Sequence, residues 1–335
     1  MTDHPQWTIE PDLASRRVGG GVVWANDELF AERENLIKPE PPVFQPATFG
    51  HKGQVYDGWE TRRRREPGQD HAIVRLGLPG VLSGVVVDTS FFTGNYPPFA
   101  SVEAVAADGY PSPAELSEMD WTTVVPRSPL AGDAPNHFAV ESDRRYTHVR
   151  LTIYPDGGVA RLRVHGTPVA DPRLLDLGSL DLAALENGAR ITEASNMFYA
   201  LPANLISPGF ARVMGEGWET ARRRDDGNDW VIVELAAAGV PRFAELDTTH
   251  FKGNAPGWAG LSGRSDGSWF EVLPRTRLQP DTRHRFVVED ARELTHLRLD
   301  IYPDGGMARL RLFGALTEAG RKAFTQRFLD ASRST

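Results

Sequence analysis

The sequence predicts an all-β protein built from two duplicated domains, each a β-sandwich or jelly roll, followed by a short C-terminal helix. Three features predict this class: the chain repeats itself over the length of a whole domain, its apolar residues alternate at a period of two, and turn residues separate many short segments. A chain of 335 residues is also long enough to bury two cores. We therefore expect a first repeat over residues 1–170 and a second repeat over residues 171–335.

The duplication is clearest around two motifs. Asp57–Arg65 returns as Glu216–Arg224 at a shift of 159 residues, and both copies contain Gly-Trp-Glu-Thr followed by arginines. Further along, the shift is 148 residues, and Thr147–Gly166 matches Thr295–Gly314 at 15 of 20 positions. Upstream of both motifs the shift is 169 residues. The first half therefore carries insertions of about ten residues in its loops, where insertions are tolerated.

Strands are expected where apolar and polar residues alternate. In Thr147–Tyr154 and its copy Thr295–Tyr302 every second residue is apolar, which is typical of a strand with one buried face. Pro-Asp-Gly-Gly follows each segment and indicates a turn, because glycine adopts positive φ at low cost. We expect the segments after these turns to complete hairpins. Those segments are Arg161–Val164 and Arg309–Leu312, and further strands are expected at Ala72–Leu76, Val85–Asp88, Val231–Leu235 and Ala244–Asp247.

Two segments lie outside the paired motifs. Leu174–Leu185 joins the repeats and is expected to form either a short linker helix or an extra strand. Leu316–Leu329 combines apolar and charged residues at helical spacing, which predicts a C-terminal helix.

Composition narrows the choice of partners and compartment. The formal net charge is −8, so no bulk positive field attracts nucleic acid or an anionic membrane. The chain contains no cysteine, which excludes disulfides and thiolate metal sites and fits a reducing compartment. The N-terminal residues are polar, and no apolar run approaches the roughly 18–20 residues that span a bilayer. We expect a soluble, cytoplasmic protein that binds neither nucleic acid nor membrane.

The paired Gly-Trp-Glu-Thr motifs, each followed by an arginine cluster and Gly-x-Asp, resemble those of the allantoicase family. The resemblance covers nearly the whole chain, Val22–Gly314, and includes both Tyr-Pro-Asp-Gly-Gly segments. It implies two jelly-roll domains of galactose-binding-like architecture and assembly into a homo-oligomer. It also implies the hydrolysis of allantoate to ureidoglycolate and urea, a cleavage of a C–N bond in purine (allantoin) catabolism.

The candidate site residues are chosen by the chemistry of their side chains. Allantoate is a small carboxylate with two ureido groups on one carbon, so a site needs a cation for the carboxylate and a proton donor for the leaving nitrogen. The candidates for substrate binding are the repeated arginines and tryptophans, Arg63, Arg64, Arg65, Arg222, Arg223, Arg224, Trp59 and Trp218. The candidate acids and bases are the repeated carboxylates and the histidines paired by the duplication, Glu60, Asp70, His148, Glu219, Asp229 and His296.

Each candidate also has a purely structural interpretation. An arginine run is often a solvated loop whose ion pairs contribute about 0–1 kcal/mol each, and large tryptophan rings commonly anchor a loop from below. A strand histidine is commonly bonded to a neighbouring backbone group rather than catalytic. Asp156 and Asp304 are assigned to the geometry of their turns. Asp88 and Asp247, at strand ends, are second-tier candidates.

No cofactor is expected. The histidines include no His-x-x-x-His pair, and no phosphate-binding loop follows a predicted strand, although a divalent cation held by carboxylates stays open. Two other functions stay open as well: a non-catalytic tandem module that binds carbohydrate or another ligand, and a hydrolase of a related ureido acid such as ureidoglycolate. The sequence leaves open whether one repeat or both carry the site.

Overall fold

The computed structural model describes residues 5–50, 53–174, 178–289 and 292–333. The chain forms two compact units, one of Met1–Val169 with Ala331–Thr335 and the other of Ala170–Asp330. Strands dominate both units, and the described residues contain two α-helices. The predicted all-β class is confirmed.

The first unit is built around one large sheet with the strand order β1-β5-β9-β6-β7, while β8 and β11 also pair with β5. A two-stranded ribbon joins β4 to β10. The strands are β1 Gly21–Ala25, β2 Phe49–Gly50, β3 Gly53–Gln54, β4 Trp59–Glu60, β5 Asp70–Asp88, β6 Phe99–Val105, β7 Thr122–Pro129, β8 Pro135–Ala139, β9 Arg145–Tyr154, β10 Gly158–Val159 and β11 Arg161–Pro168. Helix α1 is Pro113–Ser117, and 3-10 helices lie at Gln6–Ile9, Arg16–Val18 and Arg33–Ile37.

The second unit repeats this arrangement, with the order β12-β21-β15-β19-β16-β17 and with β13 and β18 paired to β15. Its strands are β12 Leu180–Asp181, β13 Arg190–Ala194, β14 Trp218–Glu219, β15 Asp229–Asp247, β16 Trp258–Arg264, β17 Phe270–Arg277, β18 Arg283–Val287, β19 Leu294–Tyr302, β20 Gly306–Met307 and β21 Arg309–Leu316. Helix α2 is Glu318–Ser332, and 3-10 helices lie at Pro172–Leu174, Leu185–Asn187, Pro202–Ile206 and Met214–Glu216.

The centre of each unit is a single strand of 19 residues, β5 or β15. The sequence predicted two separate strands over each of these segments, which is wrong. The pairing of β5 with β9 shifts register between Arg75 and Gly80. Residues before this shift pair with β1 and β9, whereas residues after it pair mainly with β8 and β11. Such an irregularity turns a strand, so one strand serves both layers of the sandwich.

The strands around the Pro-Asp-Gly-Gly turns are confirmed, but the predicted hairpins are wrong. β9 pairs with the first part of β5 and with β6, whereas β11 pairs with the second part of β5. The turn itself is confirmed: Gly157 has φ of 140°, and a Cβ there would lie 2.7 Å from the backbone oxygen of Asn95. The turn therefore carries the chain between layers and does not fold it back on its neighbour.

Alternating residues form the core of each unit. The side chains of β9 that alternate toward the core are fully buried, as are their counterparts in β19. These residues are Val149, Leu151 and Ile153, with Leu297, Leu299 and Ile301. Full burial of a side chain of this size contributes roughly 1.5–3 kcal/mol to folding.

The two segments outside the paired motifs form a strand and a helix. In the described part of Leu174–Leu185 the strand β12 pairs with β21, so the extra strand is the alternative adopted, and residues 175–177 lie outside the described residues. The predicted C-terminal helix is confirmed as α2. Helix α1 was not predicted, although Ser112 and Glu115 form a capping box that marks its start. In the described part of the chain no helix is long and apolar enough to cross a membrane.

Candidate active site

The Gly-Trp-Glu-Thr motif of the first unit forms β4, which pairs with β10 directly after the Pro-Asp-Gly-Gly turn. Trp59 is fully buried, and its Nε1 donates to the backbone oxygen of Asp27 at 2.8 Å. Trp218 is buried in the same way, with Nε1 2.8 Å from the backbone oxygen of Asn196. Neither ring offers a surface for stacking on a ligand. The structure therefore favours the anchoring role over substrate binding for both tryptophans.

Glu60 is a buried carboxyl next to this anchor, with 8% of its surface exposed. Its Oε1 accepts a hydrogen bond from Nδ2 of Asn95 at 2.7 Å, whereas its buried Oε2 meets no partner among the described residues. Burial raises the pKa of the Glu60 carboxyl above its ordinary value, and the hydrogen bond from Asn95 opposes that rise only in part. A carboxyl that keeps its proton to higher pH suits a general acid.

Arg64, the middle arginine of the cluster, is tied into the first unit. Its Nη1 lies 2.6 Å from Oδ1 of Asp70, a carboxylate with 1% exposure that also accepts from Nδ2 of Asn26 at 2.8 Å. Its backbone N–H donates to Oδ2 of Asp156 at 2.8 Å. Asp156 therefore holds the arginine loop as well as its own turn. Sequence reasoning missed this role, and the recurrence of the aspartate in both copies was the available signal.

The arginines on either side of Arg64 face solvent. Arg63 and Arg65 are exposed, and their side chains form no hydrogen bond or ion pair with the described residues. Arg222 and Arg224 are exposed in the same way in the second unit. These four guanidinium groups remain available to an anion, whereas Arg64 is already engaged by Asp70.

The second unit repeats the engaged arginine. Nη1 of Arg223 lies 2.7 Å from Oδ1 of Asp229, and its backbone N–H donates to Oδ2 of Asp304 at 2.7 Å. Glu219 accepts from Nδ2 of Asn254 at 2.6 Å, as Glu60 does from its own asparagine. Glu219 is, however, only partly buried. The two copies share the same frame but differ in how far the carboxyl is removed from water.

A second difference concerns the residue before each exposed arginine pair. In the first unit Nε of Arg62 lies 2.9 Å from Oδ2 of Asp27, and the Arg62 N–H donates to Oδ1 of the same residue. In the second unit Asn196 and Ala221 keep only the backbone hydrogen bond, at 3.1 Å. Both partners of the ion pair are thus replaced together, which leaves the loop geometry intact.

The two paired histidines lie away from this site. His148 pairs with Arg75 across the sheet, whereas Asp70 pairs with Ile153, so five residues of β5 separate the two positions. At about 3.4 Å per residue this is about 17 Å. Nδ1 of His148 lies 2.8 Å from Oγ1 of Thr147. His296 is placed equivalently, with Nδ1 2.9 Å from a threonine hydroxyl.

Burial lowers the pKa of His148 to about 4, with a smaller contribution from Arg75. The pKa of His296 is also lowered, chiefly by burial. Both rings are therefore neutral near pH 7, and the structure supports a packing role within the sheet rather than proton transfer at the site.

We expect His148 to make the first unit sensitive to acid. Because its folded pKa of about 4 lies below the ordinary 6.5, the unfolded chain binds the proton first. The stability that this neutral ring contributes is present above pH 6.5 and is lost as the pH falls toward 4. In thermal unfolding, His148→Gln should lose less stability than the unchanged protein over this range. His296→Gln, at a less buried position, is the control, and equal pH slopes in all three proteins would contradict the assignment.

The second-tier carboxylates serve turns. Oδ1 of Asp88 accepts from the N–H and the hydroxyl of Ser90, and Asp247 makes the same pair of bonds with Thr249. Among the residues that the structure describes, no group of three or more His, Asp or Glu side chains is arranged to hold a metal ion.

Fold and site together define a class of protein: tandem β-sandwich repeats that each hold a carboxyl and an engaged arginine beside exposed arginines. The family model of the allantoicase repeat matches residues 11–169 and 180–317. The chain therefore belongs to the allantoicase family.

Individual relatives agree over nearly the full length. A probable allantoicase of Nocardia farcinica is 62% identical over 314 residues, which cover 92% of this chain and 95% of that protein. A probable allantoicase of Streptomyces coelicolor is 54% identical, covering 94% and 88%. The crystal structure of allantoicase from Saccharomyces cerevisiae is 34% identical, covers 91% of this chain and 92% of that chain, and has a TM-score of 0.79. The predicted pair of duplicated sandwich repeats is thereby confirmed.

Proposed function

We propose that this protein hydrolyses allantoate to ureidoglycolate and urea. Membership of the allantoicase family supports the reaction, and one observation in the structure supports its chemistry. That observation is the buried Glu60 carboxyl, whose Oε2 meets no partner among the described residues and whose pKa is raised by burial. A reaction that expels a poor nitrogen leaving group needs such a proton donor.

In the proposed mechanism Glu60 supplies the proton. The bond between the central carbon of allantoate and one ureido nitrogen breaks, and the nitrogen takes the Glu60 proton and leaves as urea. A water molecule supplies the new C–O bond, and its surplus proton returns to the Glu60 carboxylate. Asn95 holds the carboxyl in place through its 2.7 Å hydrogen bond.

The substrate carboxylate is assigned to the exposed arginines. Arg63 and Arg65 are free of internal partners among the described residues, and a guanidinium donates two parallel hydrogen bonds to a carboxylate. Arg64 and Asp70 keep the loop between these arginines in position. The first repeat is the proposed reaction centre, because its glutamate is the more buried of the two.

The test is an assay of the pure, full-length protein with allantoate, in which released urea is measured. We expect urea and ureidoglycolate in equal amounts. A parallel assay with ureidoglycolate as the substrate distinguishes an allantoicase from a hydrolase of a related ureido acid, because only the latter would release urea from ureidoglycolate and none from allantoate. Folded protein that releases no urea from either compound would refute the enzymatic function and leave the ligand-binding module.

We further propose that the protein is a cytoplasmic homo-oligomer. The absence of cysteine fits the reducing cytoplasm. Exposed apolar side chains of the second unit support the assembly, since exposed apolar surface is typical of protein interfaces. These side chains are Met197, Phe198, Tyr199, Leu201, Phe210 and Val213. A sedimentation experiment that finds only monomer at micromolar concentration would contradict the assembly.

A further inference from the structure

A pocket of ≈ 410 Å³ lies on the outer face of the main sheet of the first unit. Its floor is a polar row across three neighbouring strands, because Thr152 of β9 pairs with His71 of β5 and with Ser101 of β6. Asp70 and His71 are consecutive in β5, so their side chains point to opposite faces of the sheet. The pocket therefore opens on the opposite face of β5 from the Asp70 carboxylate, and Gln69 lies at the boundary because its backbone oxygen accepts from Nη1 of Arg64 at 3.4 Å. Its volume suits a small molecule.

One wall of the pocket is a neutralised ion pair. Nη2 of Arg150 lies 2.8 Å from Oε2 of Glu103, and the Arg150 guanidinium packs over the ring of Trp121 at 4.6 Å. Burial lowers the pKa of His71, and the neighbouring Arg150 adds to this effect. The ion pair and the neutral imidazole add no net charge near pH 7.

The opposite wall carries an unpaired positive charge. The guanidinium of Arg127 lies 4.5 Å from the ring centre of Tyr154 and 4.9 Å from that of Phe99. Within the described residues Arg127 forms no ion pair or hydrogen bond, so its donors are free. The two rings hold the guanidinium in place before any ligand arrives, which reduces the entropy lost on binding.

The second unit provides an internal comparison. Arg275 of the second unit is equivalent to Arg127 and also packs against an aromatic ring, because its guanidinium lies 4.1 Å from the ring centre of Tyr302. All three floor positions differ: Trp230 stands where the first unit has His71, Asp300 where it has Thr152, and Gly260 where it has Ser101. Asp300 is bonded to Arg298 at 2.8 Å. Asp300 is neutralised by Arg298 as Glu103 is by Arg150, and Ser262 stands where the first unit has Glu103, so the two floors carry the same net charge. The larger Trp230 ring and the missing Ser101 hydroxyl distinguish the second unit, and the ligand site is assigned to the first unit.

We propose that the pocket of the first unit binds a small carboxylate monoanion bearing ureido or hydroxyl groups. One unpaired guanidinium matches one negative charge. The hydroxyls of Ser101 and Tyr154, 2.9 Å apart, together with the Gln69 amide, offer both donors and acceptors to the rest of the ligand. The ureido preference rests on the proposed function, whereas the carboxylate preference rests on Arg127 alone.

Calorimetry with ureidoacetate and the full-length protein tests the proposal. This probe is a stable carboxylate with a single ureido group. Every protein in this comparison carries Arg63→Ala and Arg65→Ala, so that the proposed catalytic site does not contribute its own binding of the carboxylate. In this background we expect saturable binding, weakened about tenfold or more by Arg127→Ala because a charge-assisted contact is lost. His71→Trp and Thr152→Asp, which copy the second unit, should remove the Arg127-dependent binding. Arg275→Ala is the matched control and should bind as the background protein does.

Two results would overturn the proposal: no binding at millimolar ureidoacetate, or binding that persists in both Arg127→Ala and Thr152→Asp. Propionate, offered in parallel, separates the carboxylate from the ureido preference. The fate of the proposed function is read separately from urea release. Arg127-dependent binding without urea release would keep the pocket and reject the reaction, whereas urea release without such binding would reject the pocket alone.

Discussion

Glu60→Gln is expected to lower the kcat of urea release from allantoate about 100-fold or more, with little change in KM. Glutamine keeps the shape of the side chain and a carbonyl oxygen that accepts from Asn95, now 2.7 Å from Oε1. It carries no acidic proton, so the leaving nitrogen departs without assistance. Initial rates over a range of allantoate concentrations separate kcat from KM.

The duplication supplies the control for this variant. Glu219→Gln makes the same change beside Asn254 in the second repeat, and it should retain most of the activity if the first repeat is the reaction centre. Because the pKa of Glu60 is raised, the unchanged protein should lose activity as the pH rises through that pKa, and Glu60→Gln should lack this limb. A Glu60→Gln enzyme with unaltered kcat would remove Glu60 from the mechanism.

Arg64→Ala is expected to destabilise the first unit by about 2–4 kcal/mol. The substitution leaves Asp70, with 1% exposure, charged and without its cation. Nδ2 of Asn26 remains on Oδ1 and offsets part of the loss, and the Arg64 side chain is itself 30% exposed. The loss in the free energy of unfolding is therefore equal to or smaller than the loss caused by breaking a fully buried ion pair. Denaturant unfolding followed through the transition of the first unit measures it.

Two further variants make this result decisive. Arg63→Ala, at an exposed neighbour without internal partners among the described residues, should change stability by about 0.5 kcal/mol or less but raise the KM for allantoate. In Arg64→Ala combined with Asp70→Asn the buried charge is gone, so part of the lost stability should return. If Arg63→Ala and Arg64→Ala were equally stable, the buried pair would contribute nothing.

Much of the architecture could be predicted from the sequence. The alternation of apolar and polar residues located β9, β11, β19 and β21, because a strand with one buried face needs an apolar residue at every second position. The match of the sequence with itself revealed two equivalent units, because both copies keep the residues that the same fold needs. The recurrence of Glu60 with Glu219, and of Asp70 with Asp229, also marked the carboxylates of the candidate site. These inferences depend only on residues close in sequence or on copies of them.

Strand partners and side-chain directions were decided by the tertiary structure. The period of two tells which face of β9 is buried, but not that the strand pairs with β5 and β6 instead of β11. Arg63, Arg64 and Arg65 are identical in sequence, so the sequence does not distinguish them. In the structure Asp70 and Asp156 bind Arg64, whereas the two neighbouring arginines face solvent. His148 recurs as faithfully as Glu60, yet the register of β9 against β5 carries it away from the site. Local sequence reports how a residue is packed against its neighbours, whereas which distant residue it meets depends on contacts that form only when the layers assemble.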